Sequence, residues 1–321
     1  MTPRTEPDVP ILIGGAIGTQ LAGSGFDLER DLDGYDDAWE LLVETRPEQV
    51  QAVHESYLDA GADFVSTHTF MTLPSALGRH GLANETVDLT RRAVRLARAA
   101  AIAWSTDDSP RGVIGVIGPG IDLPSRGGRS RELLAEETRQ VAETMVRESV
   151  DVICLETAVD PIQIEVVGRT ARDSGSIPLW ISMAPDAGGL ASGFDLAESV
   201  AAARAAGADL LALNCGRGPE AAARTLPPLR DLWDGPLGFW PAASEDGSPG
   251  DPERFAATVA AAVERFDLRV VGGCCGTGPA HIRRLAQAIG HRGPDDDWYD
   301  EIDAPAIDSP DLEDDAASDE E

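Results

Sequence analysis

Lysine is absent from this 321-residue chain, so its basic side chains, 26 in all, are arginines. They are outnumbered by 56 acidic residues, giving a formal net charge of −30. A surface so poor in positive charge argues against binding nucleic acid, whose phosphates need a basic face. It argues equally against an anionic membrane surface. No run approaches the roughly 18 apolar residues of a membrane span, and residues 1–9 lack the apolar centre of a signal peptide. The expected setting is therefore the cytoplasm, where disulfides are rare. The chain has only four cysteines, which in that setting read as metal ligands, nucleophiles or core residues. No G-x-G-x-x-G follows the first apolar run, which removes the usual mark of a dinucleotide-binding open sheet.

What is present is a rhythm. Ile11-Leu12-Ile13-Gly14-Gly15 reads as a buried strand entering a glycine turn. Residues 20–45, rich in acids and turn residues, read as a long loop. From Pro47 onward, helical patterns near 48–60, 84–104 and 132–149, one opened by Asp160-Pro161, and others near 196–206, 220–229, 252–265 and 279–289 alternate with short apolar runs. Those runs fall at 64–67, 113–117, 152–155, 178–183, 210–213, 237–240 and 268–272. Continuous apolar strands are those buried on both faces. The phrase Ala60-Gly61-Ala62-Asp63 returns as Ala206-Gly207-Ala208-Asp209, in which glycine ends a helix in the left-handed conformation before the chain re-enters the sheet. Eight strand–helix pairs predict an α/β fold, a single (β/α)8 TIM barrel over residues 11–293. A flexible N-terminus of residues 1–10 precedes it. A disordered acidic tail, 294–321, follows, with 14 acidic and no basic residues, a composition too polar to bury a core.

Chemistry in such a barrel gathers at the C-terminal strand ends. There the sequence sets Gly14, Gly15, Gly18 and Thr19 after strand one, Thr67, His68 and Thr69 after strand two, and Glu156 after strand four. Asn214-Cys215 follows strand six, and Gly272-Gly273-Cys274-Cys275-Gly276-Thr277 follows strand eight. Three thiols at two strand tips suit Zn2+, which prefers tetrahedral sulfur and nitrogen ligands. The fourth position is left for a substrate thiol, which zinc holds as the nucleophilic thiolate. Cys274 and Cys275 as plain core residues is the competing view, but adjacent side chains cannot both face one core. Cys154, inside an apolar run, is expected to be core. Glu156 is suited to a substrate ammonium, or else to an arginine on the rim. His68 is a fourth zinc ligand, a proton carrier or, preferred here, a hydrogen-bonding wall residue. Asn214 is placed to bond a thiolate or a substrate carboxylate, or to support its own turn.

Together Asn214-Cys215, the Gly-Gly-Cys-Cys element and Gly15-Ala16-Ile17-Gly18-Thr19-Gln20-Leu21 resemble the homocysteine S-methyltransferase family over about residues 11–289. The resemblance implies a zinc-dependent barrel in which Cys215, Cys274 and Cys275 hold the metal and Glu156 holds the amino group of homocysteine, which is methylated to methionine. The chain departs from the pattern at three points. Gly14 stands where an aspartate is usual, His68 where an asparagine is, and Ala242 where another asparagine is. These positions bear on the organic pocket and leave the thiols intact. The methyl donor is expected to be S-methylmethionine, S-adenosylmethionine or a corrinoid protein acting in trans. The alternatives are a zinc-binding barrel acting on another thiol, and a non-catalytic scaffold or sensor that has lost the homocysteine pocket. A metal-free cysteine nucleophile explains three convergent thiols less well.

Overall fold

The computed structural model describes residues 9–120, 123–186 and 188–291. The expectations for residues 1–8 and for the acidic tail lie outside them. Eight parallel strands form the sheet: β1 (Ile11–Leu12), β2 (Phe64–Ser66), β3 (Gly112–Ile117), β4 (Val152–Ala158), β5 (Leu179–Met183), β6 (Leu210–Cys215), β7 (Leu237–Pro241) and β8 (Leu268–Val271). Their order is β1-β8-β7-β6-β5-β4-β3-β2. One parallel bridge, Ile13 to Phe64, joins the two ends. The sheet is therefore a (β/α)8 barrel, as the rhythm of the sequence predicts, closed at its seam by a single bridge.

The return helices are α1 (Pro47–Asp59), α2 (Thr86–Trp104), α3 (Arg131–Arg147), α4 (Pro161–Ser174), α5 (Leu196–Ala205), α6 (Leu226–Leu232), α7 (Pro252–Phe266) and α8 (Pro279–Ala288). Several begin where a side chain or proline ends the preceding loop. Ser130, Asp160, Asp195 and Asp251 each accept a hydrogen bond from a first-turn N–H, satisfying donors that the helix itself leaves free. The single helix expected near 220–229 is two, Pro219–Ala223 and α6. Pro227 and Pro228 carry no N–H to continue the ladder of the preceding helix, and they are tolerated in the first turn of a new one. A small antiparallel ribbon, Pro185–Asp186 with Gly189–Leu190, also goes beyond the sequence expectation.

Alternation along the strands divides the core. Val152 and Cys154 of β4, Leu210 and Ala212 of β6, Trp180 and Trp240 fill the barrel interior. Their neighbours Ile153, Leu155, Leu211 and Leu213 face the helices. Cys154 is a core residue, 2% exposed, and burial holds its thiol well above the ordinary range.

The N-terminal end of the barrel is stitched by aspartates. Asp63 donates its backbone N–H to Leu12 O, and its carboxylate accepts the Leu12 N–H at 2.9 Å. Asp151 does the same with Val113 and Asp209 with Leu179, each carboxylate accepting at 2.8 Å. Each aspartate stands two residues after a left-handed one, Gly61, Ser149 or Gly207. Arg111, Arg98 and Arg172 pair with the three carboxylates.

The segment 20–45 corrects the sequence expectation. It is not an irregular loop but a chain of short helices, Ile17–Ala22, Leu28–Asp31, Trp39–Leu41 and Leu42–Thr45. They bury their own cluster, including Leu21, Leu32, Leu41 and Leu42, over the barrel seam.

Candidate metal centre and cavity

The sulfurs of Cys215, Cys274 and Cys275 lie within 4.8 Å of one another. Those of Cys215 and Cys275 are 3.5 Å apart. The arrangement is built by β7, which stands between the two strands that carry the thiols. Cys215 pairs with Pro241, and Ala242 N–H donates to Cys215 O at 3.0 Å. From the other side Cys274 N–H donates to Pro241 O at 2.9 Å, and Ala243 N–H donates to Cys275 O at 2.8 Å.

Alternation along β6 would turn Cys215 outward with Leu211 and Leu213. Its backbone is instead left-handed, with φ of 61°, which breaks the alternation and carries the sulfur to the mouth. Non-glycine residues adopt this conformation at a cost of about 1–3 kcal/mol and keep it where the surroundings hold it. On the β8 side, a Cβ on Gly276 would stand 2.2 Å from Ser248 O, and Gly276 has φ of 76°. Only glycine fits this turn. Thr277 Oγ1 donates to Cys274 O at 2.6 Å, and a Cβ on Gly273 would strike the same hydroxyl at 2.4 Å.

The thiols do not ionise evenly. Hydrogen bonds from Cys215 and then Cys274 hold Cys275 down to about 3. Its bonds to Cys215 and Cys275, followed by burial, hold Cys274 well above the ordinary range. One thiolate forms readily; three together need a cation. The donor set is therefore soft, convergent and short of positive charge, which fits Zn2+.

The thiols open on a cavity of about 390 Å3 whose wall includes Gly14, Gly15, His68, Glu40 and Glu156. Glu156 lies inside β4 rather than at its end, in inward register with Val152 and Cys154. The register of β4 against β5 shifts between Leu155 and Ala158, and Thr157 is left-handed at φ 57°. Burial raises the Glu156 carboxyl to about 7; the Trp240 indole N–H works against that rise, and charge on Cys275 adds to it.

Asn214 is fully buried and does not line the cavity. Its Nδ2 donates to Thr157 Oγ1 at 2.7 Å and to Cys274 Sγ at 3.8 Å. Gly14 presents backbone only, and a Cβ there would lie 3.2 Å from the Tyr57 ring. The Tyr57 hydroxyl spans the carbonyls of Ala16 and Thr277, at 2.9 Å each. His68 is buried, and its Nε2 meets Trp39 O at 2.8 Å.

Two cavity residues escape the sequence argument. Asp37 and Glu40 both come from the segment expected to be a loop. Glu40 is 3% exposed and Asp37 is open to solvent. Their only sequence signal is an acid in a stretch already rich in acids.

The molecule is a (β/α)8 barrel with three convergent thiols at its C-terminal mouth, a donor set that could hold a metal ion. The chain belongs to the homocysteine S-methyltransferase family, which matches residues 11–289. It is 33% identical over 293 residues to methionine synthase of Mycobacterium leprae (strain TN), covering 87% of this chain and 24% of that protein. The chain thus spans about a quarter of the length of that relative. It is 25% identical to homocysteine S-methyltransferase 4 of Zea mays, covering 92% of each. The metallated form of the homocysteine methyltransferase MmuM from Escherichia coli is similar in structure, with a TM-score of 0.72 and 25% identity over 88% of this chain and 96% of that one.

Proposed function

We propose that the protein is a zinc-dependent S-methyltransferase that transfers a methyl group to a small thiol, homocysteine, to give methionine. The observation that carries this reading is the convergence of Cys215, Cys274 and Cys275 on the wall of one cavity, in a chain of this family. Cys215, Cys274 and Cys275 would hold Zn2+. Bound there, the metal supplies the Lewis acidity that keeps a substrate thiol ionised at neutral pH.

The remaining work falls to the chain. Asn214, through its Nδ2 on Cys274 Sγ, steadies one sulfur of the centre. Glu156 offers a carboxylate to the ammonium of the acceptor, and a bound ammonium would favour its charged form. The acceptor sulfur attacks the methyl carbon; the new C–S bond forms as the old bond breaks, and its electron pair leaves with the donor. Among the described residues the cavity wall carries the acids Asp37, Glu40 and Glu156 and no arginine. A wall of that charge favours a cationic sulfonium donor, S-methylmethionine or S-adenosylmethionine, over a corrinoid protein in trans. The reading includes a reducing, cytoplasmic setting, supported by the free thiols of all four cysteines. No helix among the described residues is long and apolar enough to cross a membrane.

The rival reading, a scaffold or sensor without a homocysteine pocket, rests on Gly14, His68 and Ala242. A cavity still walled by two buried or half-buried glutamates favours the enzyme. The test is a donor screen against homocysteine with zinc-loaded protein, scored as methionine formed. Turnover with one of the three donors is expected. No product from any donor, together with no spectral response of cobalt-substituted protein to homocysteine, would overturn it.

A further inference from the structure

Glu40 is 3% exposed, lines the cavity and is held rigidly. Its Oε1 accepts the Met71 N–H at 2.8 Å. Its helix, Trp39–Leu41, is fixed beside the tip of β2, because the Trp39 carbonyl meets His68 Nε2 at 2.8 Å. The Trp39 ring is braced edge-on by Phe26 at 5.0 Å. The second oxygen, Oε2, is buried and has no hydrogen-bond partner among the described residues. A carboxylate oxygen buried without a partner is costly. A side chain on a cavity wall that is locked by one oxygen and keeps the other unpartnered is a binding group whose ligand supplies the missing donor.

Among the described residues the cavity wall offers no arginine to fill that role, so the partner is assigned to the ligand, as a cationic or N–H donor. The acceptor in the function proposed above carries one such group, its ammonium, and Gly14 offers it no side chain. We propose, on the basis of that reading, that Glu40 is a second carboxylate for the acceptor ammonium, distant from Glu156 in sequence but alike in role. The sulfur is then placed at the thiol centre by the far end of the same molecule, and Glu40 selects α-amino thiols over thiols that lack the amino group. His68 acts as a positioning residue, through the Trp39 carbonyl.

The test compares homocysteine with 4-mercaptobutanoate, the same chain without the amino group, on zinc-loaded full-length wild type and Glu40→Gln. The amide introduced by that substitution retains a carbonyl oxygen for the Met71 N–H, while the charge is lost and the second oxygen becomes an NH2 donor that cannot accept from an ammonium. Calorimetry without donor gives the affinities, and kcat/KM is measured with the donor found active. Wild type is expected to bind homocysteine about 10- to 100-fold more tightly than mercaptobutanoate. In E40Q that preference should shrink by about 3- to 10-fold, the share held by Glu156 remaining, with affinity for mercaptobutanoate unchanged. The ratio of kcat/KM for the two acceptors does not depend on the fraction of folded enzyme, so partial misfolding cannot imitate the result. Equal binding of both thiols by wild type, or an equal effect of E40Q on both, would overturn the proposal. Failure of every donor, with the binding preference present and lost in E40Q, would overturn the methyl-transfer reading and leave the ammonium site standing.

Discussion

The two ends of the barrel use opposite strategies. At the N-terminal end, Asp63, Asp151 and Asp209 repeat one device, each carboxylate closing a neighbour's backbone N–H and meeting an arginine. The aspartate carboxylates there find their partners within the chain. At the C-terminal end, Cys215 and Thr157 hold left-handed backbone, three thiols crowd together, and Glu40 and Asn214 each keep a buried oxygen without a partner. One end is finished by the chain alone; the other is built to be completed by what it binds. In a (β/α)8 barrel this division is the general one between stability and chemistry, and here it can be broken at either end separately.

The largest effect is expected from Cys274→Ser at the mouth. Metal analysis should fall from one zinc per chain to near zero, and methyl transfer by at least about 10^3-fold, with far-UV circular dichroism unchanged. A fully loaded mutant would remove the three-thiol assignment. The opposite result is expected at the other end. Asp63→Ala leaves the Leu12 N–H and the buried Arg111 without this partner. It should lower stability by about 3 kcal/mol, seen as a lower denaturant midpoint, while kcat of the folded fraction is retained.

Gly276→Ala joins the two strategies, because it adds a backbone clash to the turn that carries Cys274 and Cys275. A loss of about 2 kcal/mol is expected, accompanied by weaker zinc retention against a chelator. A loss of stability with zinc affinity intact would separate the turn from the site.

The smallest effect at neutral pH concerns His54, between the ends. It is fully buried on α1, and neither ring nitrogen has a hydrogen-bond partner among the described residues. Burial, with a minor contribution from His68, lowers it from 6.5 to about 3. The unfolded chain therefore binds a proton below about pH 6.5 that the folded chain refuses until about pH 3. Stability should fall through that window by up to about 1.4 kcal/mol per pH unit. His54→Leu should remove this share of the slope and change little at pH 7. An unaltered slope would show that the ring is solvated.

The barrel was legible because its strands are buried on both faces, so each reads as an unbroken apolar run between helical patterns. The thiol centre was legible because Cys215, Cys274 and Cys275 follow such runs directly, and strand ends share one mouth. What lay outside the sequence argument depends on tertiary contact. Leu21, Leu32, Leu41 and Leu42 share a cluster but sit on helices too short to show a period. The segment therefore reads as loop, and Glu40 disappears among its acids. Nothing local announces a left-handed Cys215; the strands on either side impose it. The bulge in β4 that sets Glu156 inside the strand is equally a matter of register against β5. The residues 60–63 and 206–209 announced a turn, but the bonds their aspartates make become visible only once the neighbouring strand is in place.

The single bridge between Ile13 and Phe64 has a further consequence for how the barrel breathes. Seven strand pairings are ladders, and the eighth is one step wide. Local opening follows the weakest set of backbone hydrogen bonds. The Gly14 N–H, donated to Phe64 O at 2.9 Å, lies on that step and beside the cavity. In hydrogen–deuterium exchange it is expected to trade its proton sooner than the amides of β4 and β5, and to slow when a ligand fills the cavity. The wall that leaks first is then the wall that the acceptor seals.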